Sequence, residues 1–135
     1  MAKEKISVKS AKAKGRKAQQ EVMRHISEML EIPCGKDELI RSREMGQAGT
    51  DIVLLGEAKE LFPFSIEVKF QENISIPKWI KQAKENKKEN TDWLLIVRRS
   101  RENPIVVLDF EAFIALYKRL LNWESPNRKA KKEGE

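Results

Sequence analysis

Cysteine and histidine are nearly missing from this chain: Cys34 and His25 are the only ones in 135 residues. A lone cysteine cannot close an internal disulfide, which points to a reducing, intracellular and cytoplasmic setting. The pair also falls short of the three or four nitrogen and sulfur ligands that zinc usually takes, which argues against zinc chemistry. No apolar run nears the length of a membrane span, and no signal-like apolar stretch follows the basic N-terminus. Neither an internal repeat nor a long linker is present, so the length implies one domain. Cys34 itself reads as a packing or loop residue and His25 as a surface helix residue.

Charge is what the chain has in quantity. Charged residues make up 36%, the formal net charge is +6, and the sequence pI is about 9.5. A basic balance suits a polyanionic partner, since cationic side chains displace counterions condensed on phosphates; solubility alone accounts for it in many small domains. The distribution is more telling. Lys3, Lys5, Lys9, Lys12, Lys14, Arg16 and Lys17 face only Glu4 in a basic N-terminal arm (1–14 and its junction). Arg128, Lys129, Lys131 and Lys132 recur in a charged tail (123–135). Both ends are expected to be flexible and solvated, leaving a nearly charge-balanced domain over 15–122.

Within that domain Ala18, Val22, Ile26, Met29 and Leu30 recur at helical spacing after Gly15, predicting an amphipathic helix that ends before Pro33. Gln19 lies on one flank of its apolar stripe and Glu21 on the other. A short strand is expected within Glu38 to Arg43, then a flexible loop marked by Gly46 and Gly49. Asp51 to Leu55 is β-branched and apolar and predicts a strand, with a turn or short helical excursion over Glu57 to Pro63. Phe64 to Gln71 alternates strictly: Phe64, Ile66, Val68 and Phe70 belong to one face, Ser65, Glu67, Lys69 and Gln71 to the other. Pro77 suits the first turn of a helix carrying Trp79, Ile80 and Ala83. Strands follow at Trp93 to Val97 and Ile105 to Leu108, and Asp109 suits the N-cap of a last helix. The order predicts a compact mixed α/β sandwich.

The chemistry gathers on one strand face. Glu67 and Lys69 stand two apart and project together, and Asp51 reaches the same pocket if its strand pairs with theirs. Two carboxylates and the Val68 carbonyl make a hard-oxygen site suited to Mg²⁺, with Mn²⁺ as a substitute. Such an ion lowers the pKa of a bound water and screens charge growing on a phosphate; Lys69 could orient that water or stabilise the developing charge. The bland account is that Glu and Lys alternate on many solvated strands. A Gly-bearing loop before Asp51, the continued polar face at Gln71 and the helix that follows raise the catalytic account above it.

Three segments carry a resemblance: Gly15-Arg16-Lys17-Ala18-Gln19, Gly49-Thr50-Asp51-Ile52-Val53 and Ile66-Glu67-Val68-Lys69. Together they resemble the PD-(D/E)xK nucleases, in particular the archaeal Holliday junction resolvases and related phage-encoded nucleases. Leu61 to Lys69, with Trp79 and Gln82 beyond, looks like the phage branch, and the likeness runs from about Gly15 to Leu121. It implies a restriction-endonuclease-like mixed β-sheet flanked by α-helices. It also implies a Mg²⁺-dependent endodeoxyribonuclease, a homodimer whose two active sites nick opposing strands of a four-way junction, and a host-cytoplasm setting if phage-encoded. One position departs: where archaeal resolvases carry a glutamate four residues after the glycine, this chain has Gln19. An amide oxygen can accept a hydrogen bond from water but brings no charge. Glu21 brings the charge, yet two residues along a helix swing it by about 200°. Position favours Gln19 and chemistry favours Glu21.

The resulting site reading is Asp51, Glu67 and Lys69 with Gln19 or Glu21 as catalytic groups, and Asp51, Glu67 and Val68 as metal ligands. Lys14, Arg16, Lys17, Arg41, Arg43, Gln71 and Gln82 are candidate DNA contacts; for Arg41 and Arg43 a solvated strand end is the rival account, and for Gln82 packing at the core edge. Trp79 and Trp93 read as core, Trp123 as a residue at an interface. Two other functions stay open: a nicking, flap or general DNA nuclease, and a DNA-binding protein that kept the fold and lost the chemistry.

Overall fold

Strictly alternating and near-continuous apolar strands need cover on both faces, and two helices supply it. The computed structural model describes residues 8–44 and 46–133, with 123–133 described by backbone alone. Lys3, Lys5, the Trp123 side chain and the cationic side chains of the C-terminal tail lie outside what is described. The order is α1 (Val8–Leu30), β1 (Ile40–Ser42), β2 (Ile52–Leu54), α2 (Gly56–Leu61), β3 (Phe64–Phe70), α3 (Ile76–Asn86), β4 (Asp92–Arg98), β5 (Ile105–Leu108) and α4 (Phe110–Glu133). The strands form one five-stranded sheet in chain order. All neighbours are antiparallel except β3 and β4, which run parallel and are joined through α3. This is the α/β, restriction-endonuclease-like mixed sheet flanked by helices that the sequence led us to expect.

Alternation sorts the two cores. Ile66 and Val68 of β3 join Ile52, Leu54, Leu94, Ala18 and Ile26 beneath α1. On the other face Trp93, Leu95 and Val97 of β4 pack with Trp79 and Ala83 of α3, so both tryptophans are core residues as expected. Parallel register sets Ser65, Glu67 and Lys69 beside Trp93, Leu95 and Val97, because paired residues share a face. The polar face of β3 is therefore not solvated: Ser65 and Glu67 are buried under α3.

Helix α1 starts earlier than the sequence suggested. Residues 8–14, assigned to the arm, are already helical, and Gly15 lies inside the helix. Ala, Lys and Ser at these positions are adequate helix formers, and one glycine costs only about 1 kcal/mol. Likewise the backbone of 123–133 continues α4. Asp109 caps that helix, its Oδ1 accepting from the Glu111 N–H at 3.3 Å. His25 is exposed on α1, and Cys34 is half-buried against the α1 core.

Candidate active site

Antiparallel pairing of β2 with β3 sets Ile52 opposite Ile66, which carries Asp51 alongside Glu67 on the α3 face. Asp51 is pinned at both ends of its peptide: its N–H donates to the Ile66 carbonyl at 2.9 Å, and its carbonyl accepts from the Arg43 N–H at 2.8 Å. Its side chain accepts, through Oδ2, the Val68 N–H at 2.7 Å. Glu67, 1% exposed, accepts at Oε1 from the Asn86 amide at 2.9 Å. Each carboxylate thus spends one oxygen on the protein. Burial first, and then the facing Asp51 carboxylate, push the Glu67 carboxyl up to about 7, against the opposing pull of Asn86 and Lys69.

A cleft of about 650 Å³ opens at Asp51, with Glu67 buried beside it and outside the lining. It brings Gln19, Asp51, Val68, Lys69, Gln71 and Gln82 together, with Glu44 and the loop over 46–49 as its lip. Gln19 is buried at 5% exposure and accepts from the Ser42 hydroxyl at 3.2 Å. Glu21 does not line the cleft; it forms an ion pair with Arg98, whose guanidinium also stands 5.4 Å over the Phe70 ring. The approximately 200° swing along α1 separates the two neighbours as the helix geometry requires.

Two smaller depressions adjoin the cleft. Arg16 and Arg43 line one of about 390 Å³ that shares Glu44 with the cleft, and Lys14 lines one of about 240 Å³ that shares Gln71 with it. Lys17 is exposed on α1 and Arg41 donates to the Glu38 carbonyl; neither lines these spaces. Arg43 has a structural task beside any contact with a ligand. Its Nε donates to the Thr50 carbonyl at 2.6 Å, and its guanidinium lies where a Cβ on Gly49 would fall, 2.8 Å from Cζ. Gly49, at φ +116°, leaves that space free and adopts a backbone that other residues resist.

Sequence reading missed Asn86 and Glu85, which close the cleft from α3. Their signal was helical spacing, three and four positions after Gln82. The end of α3 is fastened to β3 a second time, by the Lys88 N–H donating to the Ser65 hydroxyl at 3.0 Å. Ser65 in turn bonds the Thr91 hydroxyl at 2.7 Å.

The donor set suits a hard divalent cation. Two ionised carboxylates here would repel each other, so the buried one holds its proton up to about neutral pH, and a dication beside them would take the place of that proton. Among the described residues no third acid or histidine joins them as a metal cluster; Val68 lines the cleft beside Asp51.

A family model described as phage putative PDDEXK endonuclease matches residues 10–132. No curated protein and no solved structure matches the chain. No helix among the described residues is long and apolar enough to cross a membrane.

Proposed function

The chain belongs to the phage PDDEXK endonuclease family, a nuclease family whose members use divalent metals, and we propose that it resolves four-way and branched DNA junctions by paired, Mg²⁺-dependent phosphodiester hydrolysis. The observation that carries the nuclease chemistry is that Asp51 and Lys69 line one open cleft while the buried carboxyl of Glu67 lies against Asp51. Asp51 and Glu67 hold the ion, with the Val68 carbonyl as a further ligand. Bound there, Mg²⁺ supplies Lewis-acid activation of water and neutralises charge on the phosphate.

The chain's own residues do the rest. Lys69 donates to the attacking water or to a non-bridging phosphate oxygen. Gln19, neutral and already inside the cleft, accepts from water and orients it. Asn86 fixes the rotamer of Glu67. Gln71, Gln82, Lys14, Arg16 and Arg43 contact the sugar-phosphate backbone on either side. The resemblance of the three motif segments to junction resolvases supports the branched substrate, and paired cuts require a homodimer with two such clefts.

The test is cleavage of labelled four-way junction, flap, nicked and linear duplex DNA in Mg²⁺, with Asp51→Asn and Glu67→Gln beside the wild type. Symmetric paired cuts in the junction alone, lost in both variants, are expected. Cleavage of every substrate would leave a general nuclease and remove the junction reading; full activity in Glu67→Gln would remove the site.

A further inference from the structure

Helix α4 is an apolar helix that the rest of the domain barely covers. Of its described side chains only Ala112 is buried. Phe110, Phe113, Ile114, Leu116, Tyr117 and Leu120 are all exposed, Phe110 at 73% and Tyr117 at 50%. At 3.6 residues per turn these six occupy an arc of about 160°, wider than the stripe an amphipathic surface helix needs to face its own core. One side of the arc forms a groove of about 730 Å³ against the segment Leu61 to Phe64. The opposite margin, beyond Ile114, carries Glu111 and Lys118, seven positions and hence two turns apart.

We propose that this face docks a second copy of the same chain, helix α4 against helix α4 in antiparallel sense. Two observations select that occupant. The charges on the margin are self-complementary: with the contact centred on the Phe110, Ile114 and Tyr117 side of the arc, away from the groove, a twofold axis between Ile114 and Ala115 sets Glu111 of each copy opposite Lys118 of the other, so the pair forms twice. A twofold contact must be of this kind, the same patch meeting itself. The area also fits. Aromatic and large aliphatic side chains half exposed in this number present on the order of 500 Å² of apolar surface, which is the apolar share of a standard interface of about 800 Å² per partner. The arc itself is apolar, with Arg119 in the groove on one side and Lys118 on the margin of the other, and the cleft with its flanking cationic depressions is lined by other elements. The surface gives the homodimer of the functional proposal a location, and rests on that reading only for its biological use.

The experiment is sedimentation equilibrium of the full chain without DNA or metal, over a hundredfold concentration range, so that its outcome is independent of whether the protein cleaves anything. A reversible dimer of the 15.7 kDa chain is expected. Phe110→Glu should yield monomer with unchanged helical circular dichroism. Glu111→Lys and Lys118→Glu should each weaken association at least tenfold, and the double variant should restore it. A monomer at every concentration overturns the proposal. So does a dimer that Phe110→Glu and the charge reversals leave intact, since it must then use another surface.

Discussion

Asp51 and Glu67 place two negative charges in a site where one of them has lost its water. The folded protein therefore holds the Glu67 proton up to about pH 7, whereas the unfolded chain releases it near 4.5. Between those values the native state binds more protons than the unfolded one, so stability falls as pH rises through the window and levels off above it. For the metal-free protein we expect a loss on the order of 2–3 kcal/mol between pH 5 and 8 in urea titrations, and a flat profile for Glu67→Gln. Added Mg²⁺ should restore stability most at the alkaline end. Asn86→Ala removes the donor that holds Oε1 of Glu67 and should weaken Mg²⁺ binding by about tenfold, the cost typical of an outer-shell partner; calorimetric titration with an unchanged affinity would show that Asn86 is only packing. That Asp51, Glu67 and Lys69 share one face of the sheet was legible because strand alternation assigns faces directly. Asn86 was not, since its bond to Glu67 spans 19 positions and two elements. Nor could sequence decide between Gln19 and Glu21: the Arg98 that takes up Glu21 lies 77 positions away.

Local signals served the elements well in the middle of the chain and less well at its ends. Pro77 sits at the start of α3 and Asp109 caps α4, as their residue types suggest. Asp109→Ala should cost about 1 kcal/mol, the usual value of an N-cap, visible as a lowered thermal midpoint. The start of α1 was missed because Lys-rich composition resembles a solvated arm, while helix propensity there is adequate. The loop before Asp51 was correctly placed by its glycines, but the contacts that tie its end to Arg43 were hidden. Arg43 laces it through Thr50 and occupies the space beside Gly49. Gly49→Ala forces a Cβ into that guanidinium at a positive φ and should destabilise by about 1–3 kcal/mol. Mg²⁺ affinity should fall with it, because the displaced segment ends at Asp51.

Charge is a property of the whole molecule, and one concentration of it lies along α1. Lys9, Lys12, Lys14, Arg16 and Lys17 are all exposed on the first turns of α1, the same helix that brings Gly15 and Gln19 to the cleft. Replacing Lys14, Arg16 and Lys17 together by alanine should reduce the dependence of log affinity on log salt by up to about 3 for duplex DNA, close to one for each phosphate no longer neutralised. An unchanged slope in fluorescence anisotropy would take α1 out of the DNA footprint. The sheet's general architecture could be inferred from element order, but the exposed arc of α4 could not. Sequence periodicity tells which residues are apolar, not whether the fold has a surface left to receive them.

The one parallel pairing in the sheet also has a meaning in time. Strands β3 and β4 can join only after residues 71–91 have closed a crossover between them, and closing such a non-local connection is a slow step that local contacts cannot anticipate. Asp51 and Glu67 can meet earlier, in the β2–β3 hairpin, yet the burial of Glu67 and the clamp from Asn86 arrive only with α3 packed against β4. A chain emerging from the ribosome thus carries both acids before it can bury and clamp Glu67, and that arrangement is completed only when the parallel joint closes.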